Sequence, residues 1–203
     1  MSNNIFNEKL VIKDFQCKGK ITFLKGFEVE NIDLKGKVLT LLDSNFVNLN
    51  VFGNIEAQNL IGKFLKIKGN ITGKNINADN IDIQGSFILD SLKGNNISLK
   101  GSKDSHLRNI EADNIEIFGI STDEKEENIE KIDSIFEDTL IQKIKKFINI
   151  DEVKKNISTE DSFIYIDKII GNNIVLQNVI ANYVEGAKVE TLKGCKIKEL
   201  KIR

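Results

Sequence analysis

Apolar and polar positions alternate along this chain in short phrases that return every 16 to 18 residues. The phrases read Asn31-Ile-Asp-Leu-Lys-Gly36, Asn48-Leu-Asn-Val-Phe-Gly53, Asn80-Ile-Asp-Ile-Gln-Gly85, Asn96-Ile-Ser-Leu-Lys-Gly101 and Asn114-Ile-Glu-Ile-Phe-Gly119. Two and four residues before each glycine the side chain is apolar, as at Leu34 and Ile32 or Ile117 and Ile115, and the residue between is mostly polar. That period of two marks a strand with one buried face. A second apolar lane follows the glycine by two, at Ile21, Val38, Ile55, Ile71 and Phe87. A third precedes it by nine, at Leu10, Phe27, Leu60, Ile76, Leu92 and Ile110. Three short strands per turn, each sending apolar residues inward, predict an all-β solenoid: a β-helix of roughly triangular section. Its rungs of 16–17 residues close on Gly19, Gly36, Gly53, Gly69, Gly85, Gly101 and Gly119. One rung cannot bury its own apolar face, so several must stack.

After Gly119 the beat stops. Ser121 to Glu127 is polar and acidic, and apolar residues then recur at Ile129, Ile132, Ile135, Phe136, Leu140, Ile144, Phe147 and Ile148. Spacings of three and four predict one face of an amphipathic helix, or a bent helical pair, laid against the solenoid; a membrane-surface helix is the alternative. The rungs resume in Ile170-Gly-Asn-Asn-Ile-Val-Leu-Gln-Asn178, where Asn178 stands in the closing glycine's place, and run on through Gly194. The expected organisation is one body of about nine rungs: residues 1–119, a helical insertion over 120–160, and a continuation over 161–203.

Composition narrows the function. With 29 basic against 30 acidic side chains, no global field favours nucleic acid or an anionic membrane. No apolar run is long enough to span a bilayer, and Met-Ser-Asn-Asn lacks the features of a signal peptide. Cys17 and Cys195 fall some eight rungs apart, which forbids a disulfide between them. A cytoplasmic protein is expected. His106 is the only histidine, and no P-loop, GxSxG, His-Glu-x-x-His or Cys-x-x-Cys motif occurs. The outward carboxylates Asp33, Asp82 and Glu116 share a lane with Asn50, Lys66 and Ser98 rather than forming a pair. The expectation is no enzyme, no cofactor and no metal.

Two outward lanes carry other candidates. Five before the glycine stand Asp14, Asn31, Asn48, Asn80, Asn96 and Asn114, with Phe64 as the exception. Asn and Asp tolerate left-handed backbone, and their amides stack, so this lane reads as a corner with a side-chain ladder. A row that binds a polymer or an ice lattice is the alternative. One before the glycine stand Lys18, Lys35, Phe52, Lys68, Gln84, Lys100 and Phe118. This is either a solvated edge or a stripe that docks a partner, with Phe52 and Phe118 as candidates for a lateral contact.

The ends of the stack lack an evident cap. The chain finishes in strand pattern with Ile197, Leu200 and Ile202, and it begins with Ile5, Phe6 and Leu10 close to the first rung. Uncapped rungs invite addition of another copy, although Lys196, Lys198, Lys201 and Arg203 charge the last one. The repeated apolar-x-apolar-x-Gly phrases, the rung length, the missing catalytic groups and the missing cap resemble the bactofilins, the polymer-forming cytoskeletal proteins of bacteria. The likeness is nearest to their Firmicutes branch, in which a helical segment interrupts the β-helix, here Asn128–Asn156 followed by Phe163–Arg203. The resemblance implies a right-handed β-helix that polymerises end to end without nucleotide, as a cytoplasmic, often membrane-proximal scaffold. Its implied partners are further copies of itself, with protein clients or a membrane-proximal partner besides; specific nucleic acid is not expected. The competing expectation is a non-polymerising adaptor that docks a protein or an anionic surface through the Lys/Phe lane and the inserted helix.

Overall fold

The computed structural model describes residues 3–40, 42–102, 105–120 and 163–203. Those residues form one all-parallel sheet wound into a solenoid of about nine turns. Nine strands follow in chain order: β1 (Asn3–Phe6), β2 (Leu10–Phe23), β3 (Phe27–Thr40), β4 (Ser44–Gly85), β5 (Phe87–Gly101), β6 (His106–Gly119), β7 (Ile164–Gln177), β8 (Val179–Thr191) and β9 (Lys196–Ile202). Between elements each pairs only with its neighbours in sequence, and the long β4 also winds over itself, setting Gly69 on Gly53 and Gly85 on Gly69, which is what a coil requires. No helix occurs among the described residues, and the helical reading of 120–160 lies outside them apart from Ile120. The solenoid crosses that segment without losing register: Asn114 pairs with Asn173 and Ile117 with Leu176.

The expected lanes fall into line. Ile32, Leu49, Leu65, Ile81, Ile97, Ile115 and Ile174 stack as one buried column, and Leu34, Val51, Ile67, Ile83, Leu99, Ile117 and Leu176 as another. Two further inward lanes escaped the period reading because their residues vary in size. One runs Phe23, Thr40, Ala57, Gly73, Leu89, Leu107, Ile166, Ala181. The other runs Val29, Phe46, Gly62, Ala78, Gly94, Ala112, Gly171, Gly186. In each lane the rung after a large ring holds a smaller residue, Thr40 after Phe23 and Gly62 after Phe46, which leaves room for the ring. Serine enters the core twice. The backbone N–H of Phe27 donates to Ser44 Oγ at 3.2 Å and that of Phe87 to Ser105 Oγ at 3.3 Å, so both buried hydroxyls are satisfied.

The closing column has one physical requirement. Gly36, Gly53, Gly69 and Gly85 have φ between 129° and 140°, and a Cβ on any of them would fall 1.8–2.2 Å from the carbonyl oxygen of the glycine one rung earlier. No L side chain fits there. The column changes at Gly101, where the next rung spans 18 residues and the constraint is instead the side chains of Ile164 and Phe87. Gly119 closes the rung after Gly101, and Asn178 closes the one after that with φ 53°, the one non-glycine residue of positive φ among those described. Its Nδ2 donates to the Gly119 carbonyl at 3.0 Å.

Candidate functional site

Side chains on the three outward positions of the closing strand form parallel lanes, and the first is an amide ladder. Asn31 Nδ2 donates to Asp14 Oδ1 at 2.7 Å, Asn48 to Asn31 at 2.7 Å, Asn96 to Asn80 at 2.9 Å, Asn114 to Asn96 at 2.8 Å and Asn173 to Asn114 at 2.8 Å. The stacking expected of this lane is present, but the left-handed backbone is not: these residues lie within strands, and positive φ belongs to the glycine column. The amides lean up the column because rung spacing of about 4.8 Å matches the reach of one carboxamide to the next. Phe64 breaks the ladder, its ring half exposed.

Between this lane and the mixed lane of Asp33, Asn50, Lys66, Asp82, Ser98 and Glu116 runs an open trough of about 730 Å³. Asp33 accepts from Asn50 at 2.9 Å and Lys66 stands 3.6 Å from Asp82, so the lane is internally bonded rather than organised as a catalytic pair. Phe52 and Phe118 occupy the third lane, as expected, but four rungs apart, and are not brought together. Phe52 is exposed with Lys35 Nζ 5.6 Å from its ring centroid; Phe118 is half-buried. His106 stacks on Tyr165 with ring centroids 5.1 Å apart, on the outside of the coil. Among the described residues no group of three or more His, Cys, Asp or Glu could hold a metal ion, and no helix is long and apolar enough to cross a membrane. Both cysteines are free.

The two ends differ in how they are finished. At the start, β1 covers only Lys20–Phe23 of β2. Phe6 points inward and stacks on Phe23 at 5.1 Å, with Phe15 edge-on to both, whereas Ile5 points outward and is exposed. Leu10, Phe15 and Cys17 on the uncovered part of β2 are only half-buried, although the same lanes are fully buried one rung later. At the far end β9 covers Ile180–Gly186, placing Ile197 over Ala181, Leu200 over Val184 and Ile202 over Gly186. Ile197 packs on the core, while Leu200 and Ile202 are 50% and 57% exposed.

Charge on the last rung is partly compensated from below, one carboxylate serving two cations. Glu185 accepts from the Tyr183 hydroxyl and pairs with Arg203 Nε at 2.9 Å and Lys201 Nζ at 3.4 Å. The Tyr183 hydroxyl, with Lys201 and Arg203 behind it, holds the Glu185 carboxyl below the usual range, and the same hydrogen bond raises the Tyr183 phenol. Lys196 lies over the Phe163 ring at 5.3 Å. Glu185 thus offsets part of the charge of Lys201 and Arg203.

Compared with known proteins, the chain matches no family model, no curated protein and no solved structure.

Proposed function

We propose that this protein is a non-catalytic scaffold that self-associates through the terminal rungs of its solenoid. The observation that carries the reading is that inward-facing residues at both ends lack cover among the described residues: Leu10, Phe15 and Cys17 at one, Leu200 and Ile202 at the other. Among the described residues no further strand pairs with the first part of β2, Leu10–Gly19, or with the outer edge of β9, and a strand edge of this kind is a template for adding another strand. The pairing of Lys201 and Arg203 with Glu185 supports contact at the far end by lowering its charge. In this reading the coil is right-handed and roughly triangular in section, the usual hand for parallel crossovers. The type proposed is a cytoplasmic, bactofilin-like filament protein with further copies of itself as partner.

Negative-stain electron microscopy of the purified chain, without nucleotide and at several salt concentrations, tests it. Filaments or end-to-end oligomers are expected; a uniform population of monomers at all concentrations contradicts the reading. The exposed Phe52 beneath Lys35 favours a second role, lateral docking of a protein partner, which does not require assembly.

A further inference from the structure

The amide ladder is interrupted once between Asn31 and Asn114, and the interruption faces the open trough. We propose that the trough around Phe64 binds an uncharged oligosaccharide laid along the solenoid axis. In the intact ladder each Nδ2 donates to the Oδ1 one rung earlier, as Asn48 does to Asn31. Phe64 offers neither group, so among the described residues Asn48 Oδ1 keeps an open acceptor and Asn80 Nδ2 an open donor. They stand two rungs apart, roughly 10 Å at the strand spacing of a sheet, with a half-exposed phenyl ring between them.

A sugar ring complements that arrangement. One face presents C–H groups that pack on an aromatic ring, and its rim carries hydroxyls that both donate and accept. The hydroxyls of a ring seated on Phe64 reach the open amide groups on either side. The neighbouring lane adds further acceptors at Asp33, Asp82 and Glu116. Those three carboxylates against the single ammonium of Lys66 make the trough acidic, which disfavours phosphate or uronate chains and leaves neutral ones. From Asn31 to Asn114 the trough spans five rung steps, roughly 24 Å, which accommodates several sugar units. The inference does not depend on self-association.

The test titrates the full chain with cellohexaose, maltohexaose and chitohexaose at millimolar concentration, following the side-chain amide signals of Asn48 and Asn80 by NMR. Oligothymidylate and oligogalacturonate serve as anionic probes. At least one neutral hexasaccharide is expected to bind and to shift those signals. Phe64→Ala and Phe64→Asn should each weaken it roughly tenfold or more, while Phe52→Ala leaves it unchanged. Thermal melts of both Phe64 variants separate lost binding from lost folding. Absence of binding by all three neutral probes, equal affinity in the Phe64 variants, or preference for either anionic probe overturns the proposal.

Discussion

The ring of Phe46 occupies the space in which a side chain on Gly62 would stand. A Cβ built on Gly62 falls 2.3 Å from the Phe46 ring and 2.6 Å from its carbonyl oxygen. In this pair a bulky residue on one rung is matched by the absence of a side chain on the next. Gly62→Ala should cost about 1–3 kcal/mol by overpacking, and Phe46→Ala about 3–5 kcal/mol by leaving a cavity. In the double variant the clash with the ring is removed while the 2.6 Å approach to the Phe46 carbonyl remains, so the relief is partial and the combined loss should fall short of the sum. Urea denaturation of the four proteins measures it, and strict additivity would contradict the packing described.

Asn178 replaces glycine in the closing column through two properties: it tolerates φ 53°, and its Nδ2 donates to Gly119. Its Oδ1 is buried without a hydrogen-bond partner among the described residues. Asn178→Asp removes the donor and places an acceptor against the Gly119 carbonyl, a loss of about 1–3 kcal/mol. Asn178→Gly keeps the backbone and should be milder. Denaturation midpoints at neutral pH decide this, and an Asp variant as stable as the parent would refute the assigned bond.

Glu185 links stability to pH at the far end. The Tyr183 hydroxyl, Lys201 and Arg203 lower its carboxyl in the folded state relative to the unfolded value of about 4.3. Its contribution is therefore present above that value and is lost as pH falls through the folded one. Tyr183, raised by its bond to Glu185, works in the opposite sense and loses its contribution as pH rises through its folded value. Glu185→Gln should flatten the acid limb of a melting-temperature profile, and an unchanged acid limb would count against the cluster.

Phe64→Asn should join the two halves of the ladder. Two new amide bonds at an exposed site are each expected to add about 0.5 kcal/mol, the low end for a hydrogen bond. Thermal unfolding reads the gain, and a lower midpoint than the parent would mean that the ring contributes more packing than its exposure suggests.

Much of this architecture is legible in the residue order. The columns through Ile32 and Leu34 and the closing glycines follow from alternation alone, and so does the place of Asn178, because Asn is the residue besides glycine that most readily takes left-handed backbone. The lanes through Phe46 and Phe23 were not legible. Gly62, Ala78 and Gly73 carry no hydropathy signal, and their inward position emerges only once the register is known. Ser44 and Ser105 look like loop residues until the backbone N–H groups of Phe27 and Phe87 are found to need acceptors. At the ends, the sequence marks Phe6 and Ile5 equally. The fold separates them, one stacked on Phe23 and the other facing outward.

Sedimentation velocity over a concentration series, comparing the parent chain with Leu200→Glu and Ile202→Glu, tests the central claim most directly. Both side chains lie on the last rung and support nothing above them among the described residues, so the variants should stay folded. The account predicts that the parent forms larger species as concentration rises and that either charge abolishes them. Assembly that is undiminished in both variants, or a parent that remains monomeric throughout, would contradict it.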